Sequence, residues 1–455
     1  MFLGCEMEDW QFRGSIIKKY SSLLTKKYRR VILTAEAAVF SDEKCVPDTT
    51  EEERGSCAMK YDFTSVMDRS GKDSIAMDLI PVPEAQVEEG FDRIPMWVAD
   101  MNFATAPAIC EHMTERIKHP AFGYFNPTDE YFDSIINWQR IRNGVEGLQK
   151  EHIGYENGVL GCVSSALQAF SAPGEAILVH APTYVGFTKV LHNNGRRIVS
   201  SDLKKDADGI WRMDYADMDA KLKEHHIHLA IFCSPHNPCG RVWEREEIEA
   251  AMEVYRKNDC IVISDEIWSD LTLGEYRHIP TQTVSADAEN RTIAIYAPSK
   301  TFNLAGLVGS YHVIYNAYLR DRMEKQSSLS HYNSMNVLSM HALIGAYGKE
   351  GQEWLDELKQ VLTGNVRWAC SFIAEHFDGV EVSEAQGTYM LYLDCAKWCE
   401  RTGKTMDELL KAGIRVGVIW QDGRPFGFDH TIRMNLALPL SRVQEAFERL
   451  ERYVF

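Results

Sequence analysis

The sequence lacks any run of 18 or more consecutive apolar residues, so no membrane-spanning helix is expected. It also lacks a basic start followed by an apolar stretch. Acids appear early in MFLGCEMEDW, which is not read as a secretory leader. Basic charge is scarce: 49 Lys and Arg stand against 66 Asp and Glu, a formal net charge of −17. That balance repels polyanions, so neither nucleic acid nor an anionic membrane surface is an expected partner. No CxxC pair occurs among the 11 cysteines, and no structural metal site is expected. An odd number of scattered thiols in a chain of this size points to a reducing, cytoplasmic setting. His225, His226 and His228 fall where a polar helix gives way to a strand, and they read as a solvated helix end. Internal repeats and low-complexity tracts are absent.

What is present is ordinary globular composition, 45% hydrophobic and 25% charged over 455 residues, enough for a large domain and a smaller one. Residues 1–58 differ from the rest and are expected to be an N-terminal extension. Within it, 16–30 reads as a basic amphipathic helix and 41–55 as an acidic linker. Residues 59–105, with Pro81, Pro83 and Pro95, suit an arm feeding a small domain and crossing a neighbour. Residues 106–330 alternate short apolar strands with helices. The strand candidates are 176–179, 197–200, 229–233, 260–264, 292–296 and 310–315. This is the pattern of an α/β large domain with a mostly parallel sheet flanked by helices. Residues 331–455 open with long helices and then mix strands and helices, as in a smaller α+β domain.

Chemistry gathers at the ends of these strands. The run TIAIY breaks at Pro298, and Ser299 and Lys300 follow in the turn. Open α/β sheets bind ligands at such strand ends. Desolvation there lowers a lysine's pKa, and a neutral amine attacks an aldehyde. We therefore read Lys300 as the residue that holds pyridoxal 5′-phosphate (PLP) as a Schiff base; the alternative is an ordinary surface lysine. PLP needs a carboxylate at its ring nitrogen. Asp265 in VISDEIWSD fits, unless it is a helix cap. Its phenolic oxygen needs a neutral donor. Asn237 in SPHNPCGRVW is placed for that, unless it merely marks a turn. The phosphate needs amides at a helix start. Residues 161–165, GCVSS, read as such a start, or as a plain serine cap. Tyr184 and Ile267 are placed to cover the two ring faces.

The ordered set DRSGKDSIAMD (68–78), PMWVADMNF (95–103), FGYF (122–125), APTYVGF (181–187), SPHNPCGRVW (234–243) and APSKTFNLAGL (297–307) resembles a fold-type I PLP-dependent transferase of the class I/II aminotransferase superfamily. Within it, the set resembles the MalY/PatB-type cystathionine β-lyases, or C–S lyases. The resemblance runs from about residue 60 to the end. It implies that Lys300 shuttles the proton, that Cys162 and Val163 amides and Ser299 hold the phosphate, and that Tyr124 reaches it from the second subunit of a homodimer. It also implies that Arg433 in TIRMNLALP binds the α-carboxylate of an amino-acid substrate, for which a planar fork of donors is suited. The expected activity is β-elimination of L-cystathionine or a related S-substituted L-cysteine to a thiol, pyruvate and ammonia. Transamination on the same scaffold is the alternative, and a regulatory-partner role is a third reading. One position separates the chain from many aminotransferases in agreement with the lyase branch, and two further departures bear on the substrate. Val308 stands where many aminotransferases have a phosphate-binding arginine. Trp268 stands where the lyase branch has histidine, and QDGRPFGFDH replaces a longer glycine run. An indole donates one hydrogen bond but carries no proton between groups.

Overall fold

The computed structural model describes residues 59–329 and 333–455. The helix and linker expected within 1–58 lie outside these residues. Seven strands form one sheet: β1 (Ile153–Glu156), β2 (Ala176–Val179), β3 (Arg197–Ser200), β4 (Leu229–Cys233), β5 (Ile261–Asp265), β6 (Thr292–Tyr296) and β7 (Ser310–Val313), in the order β1-β7-β6-β5-β4-β2-β3. Only β7 runs against its neighbours; the others are parallel in direction. The runs AILV, LAIFC and TIAIY are buried at every position, as strands covered on both faces must be. Their alternation feeds two cores. Ile177, Val179 and Ile231 pack on one side of the sheet, and Leu178, Ala230 and Phe232 on the other.

Two departures from the expected elements matter at the site. β1 was not among the strands read from sequence. The helix after it, α2 (Val159–Phe170), begins a turn earlier than its serines suggest. Its cap is Gly158, at φ +78° with no side-chain cap bond. Only glycine takes that backbone without strain, and it leaves no polar signature in the sequence. β5 is shifted one residue from its expected bounds, so Asp265 ends the strand rather than following it.

A second sheet holds four antiparallel strands: β8 (Glu381–Val382), β9 (Met390–Asp394), β10 (Gln421–Asp422) and β11 (Thr431–Asn435), in the order β8-β9-β11-β10. The arm threads between the two sheets. Ile94 and Pro95 pair in parallel with Val418 and Ile419. Beyond them, the Asn435 amide donates to Met96 O and the Asn102 amide to Ala437 O. The arm expected to cross a neighbour thus makes these bonds within its own chain.

Candidate active site

Three turns at the carboxyl ends of β4, β5 and β6 bring Asn237, Asp265 and Lys300 to one cavity of about 330 Å³. Register explains the meeting: Cys233 lies opposite Asp265, and Asp265 opposite Ile295. Lys300 lies in a single helical turn, α3 (Pro298–Thr301). It is not a surface lysine. Its Nζ donates to Ala99 O at 2.8 Å and lies 5.9 Å from the centre of the Trp268 ring. Burial, reinforced by the nearby Arg433 charge, lowers its pKa to about 8. The neutral amine is therefore far more accessible near neutral pH than that of an ordinary lysine.

Asp265 is 3% exposed, and its Oδ1 accepts from the Ile267 amide at 3.1 Å. No other hydrogen bond to its carboxylate is present among the described residues. Burial outweighs that bond and the Lys300 charge, and pushes its pKa up to about 7. A carboxylate held this way calls for a cation in the cavity. Asn237, also 3% exposed, accepts from Arg433 Nη1 at 3.2 Å through Oδ1 and leaves its amide N–H₂ free. Tyr184 lines the same cavity. A Cβ at Gly186 would stand 2.3 Å from its ring, so the bare glycine lets the ring lie where it does. Ile267 lines the cavity as well.

Arg433 reaches the site from the middle of β11, where it is opposite Tyr392 and Gln421. It is 3% exposed, not a surface ion pair. Nη2 donates to Trp97 O at 3.0 Å, the guanidinium lies 4.8 Å from the Phe426 ring centre, and Nε has no partner. Burial lowers its pKa to about 10. Among the described residues no carboxylate pairs with this buried guanidinium, whose desolvation is therefore uncompensated by charge.

The helix start corrects one expectation. The Cys162 amide is already spent on Gly158 O at 3.0 Å, and Val163 lies one residue deeper in α2; both side chains are wholly buried. The amides left free by the first turn are those of Val159, Leu160 and Gly161, and these residues line the cavity beside Ser299. Tyr124 is fully exposed and does not line this cavity in its own chain. Sequence reasoning missed the arm: Trp97 and Ala99 act through backbone carbonyls, which no side-chain pattern announces. Trp268, 2% exposed, walls the cavity and meets Tyr389 edge-on at 4.8 Å.

The arrangement suits a flat cationic ring with an anionic tail: Asp265 for the ring charge, Tyr184 and Ile267 beside the ring, and a helix start for the tail. The profile of the aminotransferase class I and II family matches residues 97–450. The chain is 33% identical over 362 residues to cystathionine beta-lyase PatB of Bacillus subtilis (strain 168), spanning 79% of this chain and 92% of that protein. It is 30% identical over 391 residues to protein MalY of Escherichia coli (strain K12), spanning 85% and 96%. The crystal structure of cystalysin from Treponema denticola, which contains pyridoxal 5′-phosphate, matches with a TM-score of 0.79 at 30% identity and covers 87% of this chain and 98% of that one.

Proposed function

The chain belongs to the aminotransferase class I and II family, and from that premise we propose that it is a PLP-dependent carbon–sulfur β-lyase. It cleaves L-cystathionine or a related S-substituted L-cysteine to a thiol, pyruvate and ammonia. The convergence of Lys300, Asp265, Asn237 and Arg433 on one site from two sheets supports PLP chemistry, and the likeness to cystathionine beta-lyase PatB and protein MalY carries the choice of β-elimination. PLP fits the groups present: the Asp265 carboxylate, held by a single amide, for its ring nitrogen, the Asn237 side-chain amide for its phenolic oxygen, and the Val159–Gly161 amides with Ser299 for its phosphate.

Bound PLP supplies a sink for the electron pair left when the substrate loses its α-proton. The chain's own groups do the rest. Asp265 keeps the ring nitrogen protonated. Arg433 receives the substrate carboxylate with its planar fork, and so fixes which bond at Cα faces Lys300. The Lys300 amine, deprotonated in part because of its burial, accepts the α-proton. The sulfur then leaves from Cβ as a thiol, and the released enamine hydrolyses to pyruvate and ammonia. Incubation of PLP-loaded protein with L-cystathionine and no added keto acid tests this. Pyruvate release is expected; bound PLP without pyruvate from any sulfur amino acid overturns it.

One residue favours a second reading. Trp268 walls the cavity but cannot relay a proton. Transamination, which uses the same residues, is distinguished by conversion of bound PLP to its amine form by an amino acid and its restoration by a keto acid. The functional unit in our reading is a cytoplasmic homodimer. Support comes from the exposed pair Phe122 and Tyr124, 57% and 111% accessible, on the segment whose Tyr124 would serve a second copy's phosphate site. Every described cysteine is free, and no described helix is long and apolar enough to cross a membrane.

A further inference from the structure

Behind the loop that carries Trp268 lies a second and larger cleft, of about 670 Å³. Its walls are the end of α1 (Asp129–Asn143), the loop 269–278 and the middle of α4 (Lys349–His376). Four cations line it, Arg142, Arg277, Lys359 and Arg367, against three acids, Asp270, Glu275 and Asp356. Most of the acids are already engaged. Asp270 spends its two oxygens on Trp138 Nε1 and Thr301 Oγ1, each at 3.0 Å. Asp356 pairs with Arg142 at 2.8 Å. Glu275 is exposed at the rim.

Two cations are left without an acid. Lys359 makes one hydrogen bond among the described residues, to Thr272 Oγ1 at 3.0 Å, although an ammonium has three N–H donors. Among the described residues Arg277 donates only to the backbone carbonyls of Gly274 and Tyr276. Burial and the charges of Arg142 and Arg277 lower the Lys359 pKa to about 8, against the pull of Asp270 and Asp356. A half-buried ammonium repelled by two guanidinium groups is costly unless something anionic joins it.

We propose that this cleft binds a small multivalent oxyanion of the phosphate type, held by Lys359 and Arg277 with Arg142 at its flank. The site is separate from the catalytic cavity and from the amides that receive the PLP phosphate. Asp270 lines this cleft and not the catalytic cavity, and Thr301, which donates to it, follows Lys300 in sequence.

The test is calorimetric titration of inorganic phosphate into PLP-loaded protein at pH 8, against chloride at equal ionic strength. Loading with PLP blocks the cofactor's own phosphate site. One saturable site per chain is expected. Binding is expected to take up protons, seen as heats that change with the buffer's ionisation enthalpy, because an anion beside Lys359 raises its pKa. Lys359→Met should weaken binding about tenfold or more and remove the proton uptake; Arg277→Ser, on an exposed loop, should weaken it about tenfold. Arg433→Met should leave phosphate binding unchanged. Phosphate that binds no better than chloride, or binding that survives Lys359→Met and Arg277→Ser but is lost in Arg433→Met, overturns the proposal.

Discussion

Asp265 and Glu266 are neighbours at the end of the same strand, both buried, and they live opposite lives. Glu266 accepts from Tyr296 Oη at 2.5 Å, from the Thr281 amide and Ser264 Oγ at 2.9 Å each, and faces His278 Nε2 at 2.7 Å. These partners overcome burial and hold its pKa below the ordinary glutamate value. Asp265 has one amide, and burial wins. The alternation of a strand sends one carboxylate into a saturated network and the next into a cavity. Burial alone therefore does not mark a functional acid; burial with too few hydrogen bonds does.

Four measurements break or sharpen this contrast. The largest effect is expected on the cavity side, where Lys300→Ala should lower lyase turnover by about 10³-fold or more while the cofactor-free protein unfolds as the parent does. On the saturated side, Glu266→Ala should cost about 3–5 kcal/mol of unfolding free energy, because it strands a histidine, a tyrosine and an amide in the interior. Asp265→Asn should cost turnover but no stability at pH 7 in the cofactor-free protein. Equal losses in denaturant titrations of the two variants would break the comparison.

The pH dependence has opposite signs for the two acids. Asp265 has a folded pKa of about 7, above its ordinary 3.8. Between these values the native state keeps a proton the unfolded chain has shed, so its contribution falls as pH rises. Asp265→Asn should remove that fall from the cofactor-free protein's denaturation midpoint against pH. Glu266, with its pKa lowered, contributes stability above its unfolded value, lost as pH drops through the folded one. The smallest effect is steric: Gly186→Ala pushes on the Tyr184 ring and should weaken PLP affinity about tenfold, read by cofactor titration.

The Asp265 side of this contrast was legible in the sequence; the network around Glu266 was not. Strands buried on both faces are apolar throughout, and their turns carry Pro, Asn and Gly, so β4, β5 and β6 and the residues after them could be read in order. The start of α2 could not, because a glycine cap has no side chain to betray it, and the amides read as free, those of Cys162 and Val163, lie a turn beyond the free ones. Asn157-Gly158 was the turn signal available. Arg433 could be named, but not its burial, which depends on an arm far away in sequence. The cleft around Lys359 was invisible because α1, α4 and the 269–278 loop meet only in three dimensions.

The arm's short stretch from Trp97 to Asp100 deserves a last consequence. Three of its four successive carbonyls answer to β11, Trp97 O to Arg433 and Val98 O and Asp100 O to Asn435, while Ala99 O between them answers to Lys300. One ribbon of main chain is thus the ruler between Arg433 and Lys300. Lengthening it by a single inserted residue would put both instruments out of calibration while leaving every side chain of each untouched.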